Sequence, residues 1–338
     1  MKLLVTGGAG FIGSNFVRHV LAKHEDVSIV VLDKLTYAGN PANLADVAKD
    51  PRYAFVKGDI CDADVVRRSM TGCDVVLNFA AETHVDRSIG DPGSFVRTDV
   101  YGAYVLLEAA KELGVNRFVQ ISTDEVYGER LESPADETSA LLPRNPYAAS
   151  KAGGDRLAWS YWATYGLPVV VTRCSNNYGP NQYPEKLIPL FVTNAIEDQP
   201  LPVYGNGKNV RDWIHVRDHA DALDAIVHAD GRVDGQVYNV CAENGLTVLE
   251  ITDRILEALG KPATLVRHVT DRLGHDRRYW LTSKKLREHL DWAPSVSFEE
   301  GIRETVRWYV EHPSWWRPIK SGEFREYYKK QYAEIAGS

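Results

Sequence analysis

The sequence has little cysteine, no long apolar run and no excess of positive charge. Its four cysteines among 338 residues, Cys61, Cys73, Cys174 and Cys241, form no CxxC pair. They lack the density of a disulfide scaffold and the spacing of a zinc site, so we expect no metal. No stretch approaches the roughly 18 apolar residues that a membrane span requires. A membrane protein and a disulfide-stapled domain are therefore excluded, and the scattered thiols favour the cytoplasm.

The charge is nearly balanced. The chain has 39 Lys and Arg against 46 Asp and Glu, a formal net charge of -7, without a long block of one sign. A mildly acidic protein of this kind is poorly suited to nucleic acid or to an anionic membrane surface. We therefore expect neither as a partner, and any bound anion must be held by local cations.

Short runs rich in Val, Ile and Leu alternate with longer segments of helical period. These runs lie at 2–6, 28–32, 53–57, 74–79, 117–122 and 168–173. The pattern is typical of a parallel sheet with crossover helices. We predict an α/β protein, a Rossmann-type doubly wound parallel sheet with a smaller mixed α/β substrate-binding lobe.

The alternation of strand-like and helix-like segments ends after Arg173, where SNNYGPNQYPEKLIP carries three prolines. Residues 216–240 again have the pattern of a helix followed by a strand, which indicates that the chain returns to the sheet. The predicted sheet domain comprises 1–175 with 216–240, and the predicted second lobe comprises 176–215 with 241–338.

The first predicted strand runs into a glycine-rich turn and then a helix. Gly7, Gly10 and Gly13 stand where the turn needs backbone angles that a Cβ forbids and where a pyrophosphate approaches a helix N-terminus. Asp33, twenty positions beyond Gly13, follows the second strand and can bind ribose hydroxyls. Its carboxylate would repel a 2′-phosphate, so we predict NAD rather than NADP. Asp59 fits an adenine contact equally as well as a helix N-cap.

Tyr147 and Lys151 lie at positions i and i+4 of a predicted helix, for which Asn145 and Pro146 supply the start signals. On one helical face, the ammonium can lower the pKa of the phenol and also hold a nicotinamide ribose. A phenol tuned in this way can take a proton from a hydroxyl near neutral pH. The pair is therefore a candidate catalytic group.

An acidic doublet follows the predicted strand RFVQIS: Thr123 precedes Asp124 and Glu125. Two adjacent carboxyl groups can act as an acid and a base if burial or mutual repulsion raises one of the two pKa values. The sequence alone does not choose which carboxyl group is the acid.

Seven segments of the chain carry a resemblance to a known family. They are TGGAGFIGS, NFAAETHVDRS, STDEVYG, NPYAASKAGGD, TRCSNNYGPNQYPEKLIP, NVRDWIHVRDHADA and RLGHDRRY. Together they resemble the extended short-chain dehydrogenase/reductases, and specifically the dTDP-glucose 4,6-dehydratases. The acidic doublet is the most specific part, since relatives that epimerise or decarboxylate nucleotide sugars usually share the Tyr/Lys pair without it.

The resemblance implies an NAD-dependent hydro-lyase that converts dTDP-glucose to dTDP-4-keto-6-deoxyglucose and water, with tightly bound NAD regenerated in each turnover. It assigns Tyr147 as the base at the C4 hydroxyl while NAD accepts the C4 hydride. Thr123 would bind the C4 oxygen, Glu125 would take the C5 proton and Asp124 would protonate the departing C6 hydroxyl. The hydride then returns to C6.

The resemblance also implies two sets of binding residues and a homodimer. The cofactor set comprises Gly7, Gly10, Phe11, Ile12, Gly13, Asp33, Lys34, Thr36, Asp59, Ile60, Ala80, Ala81, Tyr147, Lys151 and Asn177. The substrate set comprises Thr83, Asn176, Lys186, Leu187, Pro202, Tyr204, Arg211, Asn244, His275 and Tyr279. Within it, Arg211 and His275 would contact the diphosphate. The dimer would form through the helices at about 93–113 and 147–165, packed as a four-helix bundle.

Other functions are compatible with the same fold. A UDP-sugar 4-epimerase and a UDP-glucuronate decarboxylase are disfavoured by the doublet of Asp124 and Glu125. A GDP-mannose 4,6-dehydratase prefers NADP, which Asp33 disfavours. A non-catalytic NAD-binding regulator has no need of the complete set of catalytic side chains, although fold alone never excludes it.

Overall fold

The structure is a computed structural model that describes residues 1–271, 274–321 and 323–332. Arg272 and Leu273 of the RLGHDRRY motif, and residues 333–338 at the end of the predicted second lobe, lie outside the described residues. In the described part of the chain no helix is both long enough and apolar enough to cross a membrane.

Seven parallel strands form the central sheet in the order β11-β6-β5-β4-β1-β2-β3. The strands of the described residues are β1 (Lys2–Thr6), β2 (Ser28–Asp33), β3 (Tyr53–Lys57), β4 (Val75–Asn78), β5 (Arg117–Thr123), β6 (Val169–Cys174), β7 (Asn176–Tyr178), β8 (Leu201–Tyr204), β9 (Val210–Arg211), β10 (Trp213–His215), β11 (Val237–Val240), β12 (Leu246–Thr247) and β13 (Val266–Val269). The prediction of a doubly wound parallel sheet is confirmed.

Helices cover both faces of this sheet. The α-helices of the described residues, including those of the second part of the chain, are α1 (Phe11–Lys23), α2 (Ala63–Met70), α3 (Val85–Gly90), α4 (Pro92–Phe95), α5 (Ala103–Leu113), α6 (Pro146–Tyr165), α7 (Leu187–Ile196), α8 (Val216–His228), α9 (Val248–Leu259), α10 (Lys284–Leu290), α11 (Phe298–Glu311), α12 (Pro313–Lys320) and α13 (Glu323–Gln331). Side chains alternate along β1, so Leu3 and Val5 pack with α1 and α8 while Leu4 packs with α2 and α5.

The second part of the chain is mixed α/β. It contains two parallel strand pairs, β7 with β10 and β8 with β13, and the antiparallel pair of β9 with β12. Apolar residues of α7, α9, α11 and α12, among them Phe191, Ile255 and Trp316, form a separate core. The segment 216–240 supplies α8 and the edge strand β11 of the main sheet. The division into two domains at the boundaries given above stays a prediction.

The helix that presents Tyr147 is fixed at its start and by a close contact in its interior. The side chain of Asn145 accepts a hydrogen bond from the backbone of Ala148, and Pro146 occupies the first turn. Helices α4 and α5 are joined by a π-helical segment, Val96–Gly102. A Cβ on Gly154 would lie 2.4 Å from the backbone oxygen of Asp99 in that segment. Glycine at this position therefore allows α6 to approach the π-helical turn directly.

Candidate active site

One large cavity lies along the carboxyl ends of the parallel strands, which is where ligands bind in open α/β sheets. Its lining includes residues that follow β1, β2, β4 and β5, together with residues of β7 and β10. The empty volume is about 1730 Å³, counting the open mouth. The lining extends from the glycine turn after β1, past the acidic doublet after β5, to Trp213 of β10.

The turn after β1 has the geometry of a phosphate cradle. Gly7 has φ +68°, and a Cβ there would lie 2.6 Å from the backbone nitrogen of Ala80. Gly10 is the N-cap of α1 and provides no capping side chain. The first amides of α1 are thereby left for a ligand, and a helix N-terminus favours an anion. A dinucleotide pyrophosphate fits this turn.

Asp33 stands at the end of β2 on the cavity wall. Its carboxylate accepts hydrogen bonds from the backbone of Ala9 at 2.9 Å and of Leu35 at 2.7 Å. Burial raises the pKa of Asp33, and these two hydrogen bonds act in the opposite direction. The backbone thus holds a carboxylate where the fold brings the adenosine ribose, which is consistent with the choice of NAD over NADP.

Asp59 also lines the cavity, and the structure decides one open alternative about it. The N-cap of α2 is Asp62, whose side chain accepts from the backbone of Asp64 and Val65. Asp59 instead pairs with the Lys34 ammonium at 2.8 Å. The alternative interpretation of Asp59 as a helix cap is therefore wrong, and its adenine contact stays a prediction.

All the residues predicted for the cofactor line this one cavity. They are Gly7, Gly10, Phe11, Ile12, Gly13, Asp33, Lys34, Thr36, Asp59, Ile60, Ala80, Ala81, Tyr147, Lys151 and Asn177. The side chains come from six separate segments of sequence, which the sheet brings together at a single edge. Their individual contacts with NAD remain predictions.

The two carboxyl groups of the acidic doublet lie in different environments. Asp124 accepts a hydrogen bond from the Thr123 hydroxyl at 3.1 Å, and its other oxygen is buried with no partner among the described residues. Burial, and then the charge of Glu125, raise the pKa of Asp124 to about 8. Glu125 is held differently, since Asn145 donates to its Oε2 and the Tyr279 hydroxyl lies 3.3 Å from the same oxygen. This asymmetry favours Asp124 as the acid.

Tyr147 and Lys151 face the same cavity, but the expected tuning of the phenol is not found. The Lys151 ammonium donates to the backbone oxygen of Ile121 at 2.7 Å. Burial, followed by the charges of Glu125 and Asp99, raises the pKa of Tyr147 well above its ordinary value. The prediction of a lowered pKa is therefore wrong for this state of the protein, because the phenol is buried beside carboxyl groups.

Asp99 is a site-supporting residue that the sequence reasoning missed. Its carboxylate accepts from the Ser150 hydroxyl at 2.6 Å and from the backbone of Glu82 at 3.1 Å. Burial raises the pKa of Asp99 to about 6. It thus joins the π-helical segment to α6 one residue before Lys151. No signal in the sequence marks a π-helical turn, so the contact could be found only in three dimensions.

The predicted substrate residues separate into two groups. Thr83, Asn176, Lys186 and Leu187 line the cavity. Six others do not belong to its lining, namely Pro202, Tyr204, Arg211, Asn244, His275 and Tyr279. These six lie on β8, β9 and loops of the second part of the chain, and the contacts of all ten residues with a substrate stay predictions.

Two of the six, Arg211 and Tyr279, nonetheless lie beside the acidic doublet. The Arg211 guanidinium lies 4.2 Å from the ring centre of Tyr279, whose hydroxyl reaches Glu125. The rings of Tyr204 and His275 meet edge to face at 6.2 Å. Both Arg211 and Tyr279 are buried. Arg211 and Tyr279 therefore form a cluster behind Glu125 that does not belong to the lining of the open cavity, and no contact among the described residues joins the pair of Tyr204 and His275 to Glu125.

Histidine and aspartate side chains close enough to share a metal occur elsewhere. Among the described residues these groups involve Asp224 with His24 and His228, and Asp224 with His19 and Asp221, between α1 and α8. None of them lines the cavity. The ammonium of Lys23 lies 2.8 Å from Asp224, so a protein cation already neutralises that carboxylate.

The fold and the site define a class of protein. A dinucleotide cradle, a Tyr/Lys pair on one helix and a strand that ends in Thr123 meet at one cavity, as in a short-chain dehydrogenase/reductase. Comparison with known proteins agrees, since the family model of GDP-mannose 4,6 dehydratase matches residues 4–305.

Individual relatives narrow this class. The chain is 53% identical to the dTDP-glucose 4,6-dehydratase of Streptomyces niveus, over 95% of this chain and 96% of that protein. The crystal structure of DesIV, the dTDP-glucose 4,6-dehydratase of Streptomyces venezuelae with NAD and TYD bound, superimposes with a TM-score of 0.92. It is 51% identical and covers 95% of this chain and 100% of its own. The chain belongs to the dTDP-glucose 4,6-dehydratase family.

The neighbouring enzyme class shares the fold at lower identity. The UDP-glucuronic acid 4-epimerase of Bacillus cereus, solved with UDP-glucuronic acid and NAD, is 27% identical, with a TM-score of 0.87. The match covers 92% of this chain and 99% of that one. The backbone alone therefore does not separate dehydratases from epimerases, and the side chains at the end of β5 have to do so.

Proposed function

We propose that this chain binds NAD and converts dTDP-glucose to dTDP-4-keto-6-deoxyglucose and water. The observation that carries the proposal is the unequal pair of carboxyl groups, a buried Asp124 beside a Glu125 held by Asn145. Bound NAD supplies reversible hydride transfer, taking hydride from C4 and giving it back at C6. The remaining chemistry belongs to residues of this chain.

Oxidation at C4 requires a base and a hold on the oxygen. Tyr147 and Thr123 both line the cavity, and Tyr147 accepts the hydroxyl proton while Thr123 donates to the C4 oxygen. Burial raises the pKa of Tyr147 in this structure, so the phenol is protonated near neutral pH and can act as a base only when its pKa is lowered in the complex with cofactor and substrate. Lys151 stands one helical turn further along α6, and its ammonium is the group that we propose lowers the pKa of the phenol in that complex.

Elimination across C5 and C6 requires a base and a proton donor together. The carbonyl at C4 acidifies the C5 proton, which the carboxylate of Glu125 removes. Asp124, with a pKa of about 8, remains protonated near pH 7 and gives its proton to the departing C6 hydroxyl. An exposed aspartic acid would be ionised at this pH and would serve poorly as an acid.

The alternatives make less use of these residues. An epimerase needs no acid beside the C6 hydroxyl, and a binding protein needs neither an acid nor a base. A carboxyl group buried without a partner on one oxygen is costly to keep, which argues for a catalytic use of Asp124.

Incubation with dTDP-glucose in deuterated water tests the proposal directly. Mass spectrometry of the product is expected to find loss of one water and one solvent deuterium retained at C5. NADH is not expected to accumulate in solution, because hydride returns in each cycle. UDP-glucose and GDP-mannose serve as comparison substrates, and turnover of either one in preference to dTDP-glucose would overturn the assignment.

We further propose that the active form is a homodimer built from α5 and α6. Large apolar side chains are exposed along these helices and the π-helical turn, including Val96, Tyr101, Tyr104 and Tyr165. Light scattering of Tyr104→Asp is expected to report a monomer, whereas Leu131→Asp, at an exposed apolar residue elsewhere, stays dimeric.

The four cysteines are free thiols, which supports a cytoplasmic location.

A further inference from the structure

Trp213 is a cavity residue whose place is fixed by its backbone. It begins β10, and the strand register sets it beside Asn176 of β7. The side chain of Asn244 accepts from its N–H at 2.8 Å and donates to its backbone oxygen at 2.7 Å. The indole packs edge to face against Tyr178 at 6.5 Å. Each of these contacts holds the residue in place without using its polar side-chain atom.

The indole nitrogen of Trp213 is buried and has no acceptor among the described residues. The residue as a whole is only 5% exposed, yet it lines the cavity. The amide oxygen of Asn176, its register partner, is likewise buried without a donor. Buried polar groups in native proteins are nearly always paired. A donor and an acceptor left unpaired at neighbouring positions of one cavity wall therefore point to a ligand that pairs with them.

The surrounding charges indicate which part of a ligand lies there. An indole N–H only donates, so its natural partner is an oxygen that only accepts, as in a phosphate. Lys186, a cationic residue, lines the same cavity, whereas Arg211 does not belong to its lining. Asn176 has both a donor and an acceptor and suits a sugar hydroxyl.

We propose that the indole N–H of Trp213 donates a hydrogen bond to a phosphate oxygen of the nucleoside diphosphate, next to a sugar hydroxyl held by Asn176. Trp213 is then a specificity-determining residue of the substrate half of the cavity. The inference rests on the proposed function, because the diphosphate is that of the sugar nucleotide. It adds a ligand contact that neither the motifs nor the comparisons supplied.

Trp213→Phe removes the N–H and keeps an aromatic ring against Tyr178. The KM for dTDP-glucose and the Kd for dTDP are expected to rise at least tenfold, the scale of one hydrogen bond to a charged group. The value of kcat and the retention of NAD are expected to remain near those of the wild type. Trp213→His keeps a ring N–H and is expected to recover part of the affinity.

Trp292→Phe is the matched control. Trp292 is also buried, and its indole nitrogen also has no acceptor among the described residues, but it lies in the core of the sheet domain. The two variants make the same change in side chain and in unpaired donors, so the loss of affinity is expected only at Trp213. Equal KM values for the two variants would overturn the inference.

Two further outcomes keep the inference separate from the proposed function. If the wild type leaves dTDP-glucose unchanged, the proposed function fails, and calorimetric titration with dTDP alone still compares Trp213→Phe with the wild type. If Trp213→Phe loses NAD and keeps its affinity for dTDP, the N–H serves the cofactor and the inference is wrong. Should Trp213→Phe not fold, Trp213→His is compared with the wild type instead. The inference is overturned if Trp213→His binds dTDP as tightly as the wild type does and if no indole N–H resonance of the wild type shifts when dTDP binds.

Discussion

The cofactor half of the cavity is lined mainly by main-chain turns, whereas the substrate half is lined mainly by side chains. The cofactor half consists of turns at the ends of β1, β2 and β4, where backbone amides and glycines form the surface. The substrate half depends on side chains of β7, β10 and the loop before α7, and on the cluster behind Glu125. We therefore expect the first half to recognise a ligand mainly by the course of the main chain, and the second mainly by individual side chains.

This difference decides what a substitution does in each half. In the cofactor half an added methyl group displaces the main chain, so fold and binding fail together. In the substrate half a side chain can be replaced while the backbone stays in place, so affinity changes alone. Tyr147, Asp124 and Glu125, which we propose as the catalytic residues, stand where the halves meet, and their substitution is expected to have the largest effects.

Tyr147→Phe removes the proposed base at the junction of the two halves. The turnover number is expected to fall about 1,000-fold, within the usual range for loss of an acid or base. No nicotinamide absorbance of NADH is expected to develop, because C4 oxidation itself is blocked. Tyr161→Phe on the same helix, whose hydroxyl contacts Glu108, is expected to be active. Near-normal turnover of Tyr147→Phe would exclude it as the base.

Asp124→Asn leaves oxidation possible and removes the acid for elimination. Water loss is expected to slow about 100-fold, while enzyme-bound NADH accumulates as an absorbance band during a single turnover. Asp136→Asn, at an exposed carboxyl group, is the control. A variant at Asp124 that fails to oxidise C4 would contradict the role assigned to this carboxyl group.

Arg211→Met tests the substrate half alone. The guanidinium is replaced by an apolar chain of similar length, and the KM for dTDP-glucose is expected to rise roughly 30-fold through loss of a charged contact. NAD affinity is expected to be unchanged, as measured by equilibrium dialysis of the purified enzyme. Loss of NAD together with substrate affinity would break the distinction between the two halves.

Gly13→Ala tests the cofactor half. A Cβ at this position would lie 2.5 Å from the backbone oxygen of Gly7, so α1 must move away from the turn. We expect NAD affinity to fall about tenfold and the melting temperature to fall with it, on the scale of an overpacked core. Gly90→Ala, where a Cβ meets nothing within 4 Å, is the matched control and is expected to alter neither property.

The sequence predicts the two halves unequally for a related reason. A β-strand, a glycine turn and a helix are consecutive, so the spacing of Gly7, Gly10 and Gly13 already contains the geometry of the cradle. The substrate half joins distant segments, as where β9 pairs with β12 and Val210 bridges to Arg278. Such pairings are set by tertiary packing, so they cannot be predicted from the local sequence of either segment.

The pKa values at the junction show the same limit. The acidic doublet is visible in the sequence, but burial of Asp124 and the support of Glu125 by Asn145 and Tyr279 are tertiary facts. The predicted direction of the pKa shift of Tyr147 is wrong, because the spacing on a helix reveals Lys151 and does not reveal the desolvation of the phenol. Roles follow from residue types, whereas protonation states follow from the environment.

The pH dependence of elimination measures the junction most finely. Asp124 must be protonated to act, so the rate of decay of bound NADH is expected to fall as pH rises through about 8. Between about pH 7 and about pH 8.5 the protonated fraction falls about fourfold, and the rate with it. The charge of Arg211 lowers the pKa of Asp124, so Arg211→Met is expected to move this limb to higher pH. If the fall in rate occurs at the same pH in Arg211→Met as in the wild type, the charge of Arg211 does not act on Asp124. If the rate of the wild type does not change with pH over this range, Asp124 is not the acid.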